Sequence, residues 1–160
     1  MIFCAHGETS PLRSRAKIVV LVFVSSECPI SNKLAPELER VGHKFSTNDV
    51  SFTIVYPNKS DTEAKVAEHR REYHLTGEYR RDPKHKLAKT AGATVTPEAA
   101  VFDEQRELVY RGRVNDQFVA LGKGRPEATR HDLEEAISAV LAGKKPAQSR
   151  TDAVGCFIQD

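Results

Sequence analysis

Cys28 carries the chemistry this sequence points to first, because of what stands on either side of it. The apolar run Val19-Val20-Leu21-Val22-Phe23-Val24 leads through Ser25, Ser26 and Glu27 to Cys28, and Pro29 follows at once. The run reads as a buried strand and the proline as the first residue of a helix, so the spacing predicts Cys28 at a strand-to-helix turn. A sulfur at a helix N-terminus faces unpaired backbone N–H groups and the positive end of the helix dipole. Both favour thiolate over thiol, and the thiolate is the nucleophile. The bland alternative is a free cysteine acting as a small buried apolar group. Cys4 and Cys156 lie near the chain ends, and the three cysteines have neither paired metal spacing nor the even count of a disulfide framework. Thirteen residues lead from Gly143 to Cys156, and an extended segment of that length spans up to about 43 Å. Cys156 is therefore able to reach Cys28 as a resolving thiol, with a free or intermolecular thiol as the alternative; Cys4, on an arm, has a weaker claim.

Composition narrows the classes. Apolar residues make up 39% and charged residues 29% of 160 residues, with a formal charge of +2. This is the balance of one soluble globular domain and implies no nucleic-acid partner. Arg70-Arg71 and Arg80-Arg81 read as a solvated helix face and loop. No segment has the length of a membrane span. The first residues have no basic region and no long apolar core, so they do not read as an intact signal peptide. The six histidines, His6, His43, His69, His74, His85 and His131, show no ligand spacing. No metal and no cofactor is expected. Compartment, whether extracytoplasmic or cytoplasmic, and oligomeric state stay open.

The elements that must position Cys28 follow from periodicity. Residues 1–16 read as a loose arm and Lys17 to Ser25 as the first strand. Ile30, Leu34, Leu38, Val41 and Phe45 step by three and four, which predicts a helix to about Thr47 with a kink at Pro36. After a turn at Asn48-Asp49, Val50 to Tyr56 alternates as a second strand. Ser60-Asp61-Thr62-Glu63 has the form of a capping box opening a crossover helix. Asp82-Pro83 reads as a second helix start, stopped by Gly92. Ala99–Asp103 and Glu107–Arg111 have hairpin spacing. A loop from Gly112 to Pro126 leads to a last helix with Leu133, Ile137, Val140 and Leu141 on its apolar stripe. Residues 143–160 form a tail that opens as a polar linker and ends in Val154-Gly155-Cys156-Phe157-Ile158.

Strand, cysteine at a helix start, strand, crossover helix, Thr96-Pro97 before a hairpin, final helix: this is the order of the thioredoxin fold. The segment Phe23-Val24-Ser25-Ser26-Glu27-Cys28-Pro29-Ile30-Ser31 resembles the active-site segment of thioredoxin-like redoxins of the TlpA and AhpC/TSA superfamily. Val95-Thr96-Pro97-Glu98-Ala99-Ala100-Val101-Phe102-Asp103 resembles their cis-proline loop and following strand. The likeness spans residues 17 to 142. Cys-Pro-Ile-Ser-Asn, joined to Thr-Pro-Glu-Ala and a terminal Val-Gly-Cys, looks like a bacterial redoxin-domain subgroup. The resemblance implies an α/β thioredoxin-like domain, with a central mixed sheet flanked by helices.

It also implies thiol–disulfide exchange with protein or small-molecule thiols and disulfides. Cys28 would attack, the mixed disulfide would lie along Thr96 and Pro97, and Cys156 or an external thiol would release it. Ser31 stands where the family has a second cysteine; its hydroxyl can hydrogen-bond the sulfur but cannot form a disulfide. Glu27 replaces the usual aromatic residue and Val22 the usual buried acid. Glu27 would act as a local base, although a nearby carboxylate also raises the thiol pKa. Two other readings stand beside this one. A thiol peroxidase acting on peroxides would use Ser25 as the hydroxyl three residues before the cysteine, with Arg111 or Arg113 as its arginine, but Leu21 stands where its proline is expected. A non-enzymatic module would bind a partner, or Cu(I) through Cys28, Cys156 and His131.

Overall fold

The computed structural model describes residues 10–47 and 49–160. Cys4 and His6, with most of the expected N-terminal arm and Asn48 of the expected turn, lie outside the described residues. In chain order the elements are β1 (Ile18–Phe23), α1 (Pro29–Lys44), β2 (Val50–Tyr56), α2 (Glu63–Glu72), β3 (Glu78–Arg81), α3 (Lys86–Ala91), β4 (Val95–Thr96), β5 (Glu98–Phe102), β6 (Leu108–Gly112), β7 (Phe118–Ala120), β8 (Lys123–Gly124), α4 (Asp132–Leu141) and β9 (Cys156–Phe157). Five strands form a mixed sheet in the order β3-β2-β1-β5-β6. The β1, β2 and β3 strands are parallel, whereas β5 runs antiparallel to β1 and β6 antiparallel to β5. This is the thioredoxin-like α/β arrangement, with helices on both sheet faces.

β1 is buried at all six positions, as a strand covered on both faces must be. Its residues divide by parity. Val20 and Val22 pack with Leu34, Leu38 and Val41 of α1 and Leu133 and Ile137 of α4. Val19, Leu21 and Phe23 face the other way, toward Ala88 and Ala91 of α3. Val22, where the family carries an acid, is thus a core residue packed against α1.

Several boundaries differ from the sequence expectation for local reasons. Pro36 lies inside α1 without ending it, and the helix stops at Lys44, capped by Phe45. The cap of α2 is Thr62, whose hydroxyl accepts from the Lys65 N–H at 3.3 Å. Ser60 does not serve, because Asp61 turns its carboxylate back to Ser26. Asp82-Pro83 opens a turn rather than a helix, and α3 begins at Lys86, with the Asp82 carboxylate accepting from the Ala88 N–H at 2.9 Å. Glu78–Arg81, three of whose four residues are charged, is an edge strand of the sheet. The loop after Gly112 contains the short β7–β8 hairpin.

The C-terminal segment is fastened to the domain. The Arg111 N–H donates to the Ser149 carbonyl at 3.0 Å, and the Thr151 N–H donates to the Arg111 carbonyl at 3.1 Å. Gly112 permits this approach, since a Cβ there would lie 2.2 Å from the Thr151 hydroxyl oxygen. The chain then crosses to β4, where β9 pairs antiparallel in the register Val95↔Phe157 and Thr96↔Cys156.

Candidate active site

Cys28 is the N-cap residue of α1, with φ −87° and ψ 114°, and Pro29 opens the helix. The turn that presents it is fixed from three sides. Its N–H donates to the Ser25 carbonyl at 3.2 Å. The Ser25 hydroxyl accepts from the Glu27 N–H and from Asn58 Nδ2, both at 3.3 Å. The Ser26 N–H and hydroxyl both donate to the buried Asp61 carboxylate.

Beneath the turn runs a buried polar chain. Asn32 Nδ2 donates to the Ser26 carbonyl at 3.1 Å, leaving its Oδ1 to accept from His69 Nε2 at 2.7 Å. His69 Nδ1 then accepts from the Tyr56 hydroxyl at 2.8 Å. Every member is satisfied with a neutral imidazole, and burial holds the His69 pKa below its ordinary value. Asn32, Tyr56, His69 and Asp61 went unrecognised in the sequence because no short motif joins them; the fold does.

The sulfur of Cys28 lies 2.8 Å from that of Cys156, and both cysteines are free thiols. Cys28 Sγ is also 3.1 Å from the Thr96 carbonyl oxygen, which accepts its hydrogen in the thiol form. The Thr96–Pro97 peptide bond is cis. Glu98 holds this loop from below: its carboxylate accepts from the Thr94 N–H at 2.8 Å and the Val95 N–H at 3.4 Å.

The tail completes the site. The Ile158 N–H donates to the Thr94 carbonyl at 3.0 Å, the Thr96 hydroxyl to the Cys156 carbonyl at 3.4 Å, and the Gln159 N–H to Asn58 Oδ1 at 2.9 Å. Gly155 is required for this seat, because a Cβ there would lie 2.1 Å from the Thr96 carbonyl oxygen.

The two thiols divide their ionisation. Burial pushes the Cys28 thiol up, but hydrogen bonds from the Cys156 thiol and from the Ser31 backbone and hydroxyl outweigh it, and its pKa falls below the ordinary value. Cys156 goes the other way, pushed up to about 11 by burial, by its bond to Cys28 and by the charge that Cys28 acquires. Of the two, Cys28 is therefore the first to give up its proton, while Cys156 keeps its own. Ser31 sits in the first turn of α1, where its hydroxyl also accepts from the Ser25 N–H at 3.4 Å.

Other residues singled out in the sequence are engaged elsewhere. The Glu27 carboxylate is 63% exposed and pairs with Lys65 Nζ at 3.2 Å, so it is turned to solvent. The Ser25 hydroxyl shapes the turn as described. Arg111 donates to the Gly92 carbonyl at 2.8 Å, and Arg113 makes a two-point contact with Asp132 at 2.8 and 3.3 Å. The hydroxyl–arginine set of a peroxidase is not assembled around the sulfur. His131 Nδ1 pairs with Glu37 at 2.5 Å, in a network with Arg40, Lys44 and Glu134 that ties α1 to α4. Among the described residues, the group of side chains close enough to share a metal ion is Glu37, His131 and Glu134, without either cysteine. Two cations already neutralise it, and the Cu(I) set of Cys28, Cys156 and His131 does not form.

With this geometry the relationships to known proteins are specific. A family model described as thioredoxin-like matches residues 16–108. The chain belongs to the thioredoxin-like family. No curated protein matches it significantly. A hypothetical protein from Sinorhizobium meliloti 1021 superposes with a TM-score of 0.78 at 26% identity, over 89% of this chain and 79% of the other. An uncharacterized conserved protein from Geobacillus kaustophilus gives 0.77 at 25%, over 90% and 77%. A secreted Mycobacterium tuberculosis disulfide oxidoreductase shares the fold at a TM-score of 0.52 and 16% identity, over 79% and 81%. In this thioredoxin-like chain the thiol beside Cys28 is that of Cys156, which lies outside α1. Among the described residues, no helix is long and apolar enough to cross a membrane.

Proposed function

We propose that this protein is a thiol–disulfide oxidoreductase whose redox pair is Cys28 and Cys156, acting on thiols and disulfides of proteins or small molecules. The observation that carries this reading is the 2.8 Å separation of the two sulfurs, with the Thr96 carbonyl oxygen 3.1 Å from that of Cys28. A buried cysteine with only a packing role needs no second thiol as its neighbour, no lowered pKa and no glycine cut to admit the neighbour's backbone. Family membership and the disulfide oxidoreductase activity named for the Mycobacterium tuberculosis relative support the same class of chemistry.

In the net reaction a partner disulfide takes up two electrons and two protons and becomes two thiols, while the Cys28 and Cys156 thiols give up those two electrons and two protons and join as a disulfide; the reverse oxidises partner thiols. Cys28 supplies the thiolate that closes the pair, since its charge is stabilised by Cys156, by Ser31 and by the start of α1. Cys156 does what a second cysteine at position 31 would do, from a different part of the chain. Thr96 and Pro97 form the wall against which the exchanging sulfurs are held.

The test is oxidation of the purified chain with oxidised glutathione, followed by alkylation and peptide mass mapping. A Cys28–Cys156 linkage, together with dithiothreitol-dependent reduction of a protein disulfide, is the expected result. Persistent glutathione adducts on Cys28 with Cys156 still free would refute the pair.

A further inference from the structure

The seat of the tail decides which sulfur a partner meets. Cys28 is 1% exposed, with the Thr96 carbonyl on one side and Cys156 on the other. The open flank of the Thr96–Pro97 loop, where an extended peptide would add as a strand, is already filled by β9, which pairs with β4 in antiparallel register. That is the geometry of strand addition, with the added strand supplied by the chain itself. Cys156 keeps partial exposure. Phe157 next to it is 79% exposed, so β9 lies at the surface and not beneath it.

We propose that exchange with partners takes place at Cys156, and that Cys28 serves as the internal thiol that forms and breaks the bond to it. This rests on the redox-pair reading above and reverses the order expected from the sequence, in which partners attach to Cys28.

In the oxidised protein a partner thiolate attacks Cys156 Sγ. The Cys28–Cys156 bond breaks, its electron pair leaves on Cys28 as thiolate, and a partner–Cys156 mixed disulfide forms. A second partner thiolate attacks the partner sulfur of that mixed disulfide, releasing partner disulfide and leaving Cys156 as thiolate, which takes up a proton. Two partner thiols are oxidised and the protein disulfide is reduced. Departure of Cys28 is favoured because a sulfur of lower pKa leaves faster, while attack is directed by access. Run in reverse, Cys156 opens a partner disulfide and Cys28 resolves the mixed disulfide.

The experiment begins with the fully oxidised chain, its Cys28–Cys156 bond verified by mass. Reduced glutathione is added, the reaction is quenched with acid at early times, free thiols are alkylated with N-ethylmaleimide, and peptides are mapped. The expected result is glutathione on Cys156 and maleimide on Cys28, in at least tenfold excess over the opposite pattern. Glutathione predominantly on Cys28 overturns the inference and leaves the redox pair intact. Failure of the starting bond to form overturns both.

A second measurement uses oxidised glutathione on Cys28→Ser and Cys156→Ser, each combined with Cys4→Ser so that a single thiol remains. Cys156 in the first reacts faster than Cys28 in the second, although thiolate content ranks them the other way. Faster reaction of Cys28 contradicts the proposal.

Discussion

Replacing Gly155 by alanine separates the tail thiol from its partner without touching either sulfur. The added Cβ would lie 2.1 Å from the Thr96 carbonyl oxygen, 2.6 Å from its carbon and 3.1 Å from Pro97 N. These are backbone atoms of the loop that Glu98 fixes, so it is the tail that must lift. Lifting costs the Ile158–Thr94 and Thr96–Cys156 hydrogen bonds, together about 1–3 kcal/mol. At 1.4 kcal/mol per tenfold, the equilibrium for closing the Cys28–Cys156 disulfide against glutathione falls roughly 5–150-fold. The assay is a redox titration in glutathione buffers at neutral pH, with the oxidised fraction read by alkylation and mass. Gly77→Ala is the control, because nothing lies within 4 Å of a Cβ there. A Gly155→Ala titration within twofold of wild type would refute the reasoning, since it would mean that the β4–β9 pairing does not hold the two thiols together.

Three further outcomes follow from the same geometry. The pair closes a loop across 128 positions of sequence, and cross-linking a loop of that order restrains the unfolded chain by about 5 kcal/mol. The oxidised protein should therefore unfold on the order of 10 °C above the reduced one, and calorimetry with equal midpoints for both forms would show that the tail is not restrained in this way. His69, buried and neutral, has a pKa held below its unfolded value; the stability it contributes is complete above about pH 6.5 and is lost as pH falls through the folded value. Urea midpoints of wild type should drop more steeply than those of His69→Gln below that pH, and His69→Ala should cost about 1–3 kcal/mol at pH 7.5 by stranding Tyr56 and Asn32. Glu27→Gln should leave the pH dependence of Cys28 alkylation unchanged, because the carboxylate faces Lys65 and solvent; a shift in that profile would restore it as a base for the sulfur.

The sequence made the Cys28 half of the site legible because that half is local. Strand, turn, cysteine and proline are contiguous, and the apolar alternation of β1 and the stripe of α1 follow from burial on one face or both. The same holds for Thr96-Pro97, marked by its place before a hairpin. The short edge strand Glu78–Arg81 escaped because its side chains are polar and its pairing partner, β2, supplies the backbone bonds that define it. Thr62 displaced Ser60 as a cap because Asp61 answers to Ser26, a residue 35 positions away, and no window of local pattern contains that bond.

Cys156 is the sharpest case of the same physics. Its reach to Cys28 followed from counting residues, but its seat depends on a tail that runs along β6 and then crosses to β4, and the instructions for that path are two glycines and a threonine. Gly112 admits Thr151 against the edge of β6, and Gly155 admits the tail against the Thr96 carbonyl. In a Cys-x-x-Cys helix start the second thiol is fixed by the helix itself, so pairing survives whatever the rest of the chain does. Here Ser31 keeps a hydrogen bond at that place, and pairing depends on whether the β4–β9 contact is made. On the proposed pairing, the redox chemistry is therefore coupled to the docking of residues 155–159, in a way that an internal dithiol could never be: any partner or substitution that unseats the tail also removes the thiol that completes the proposed reaction.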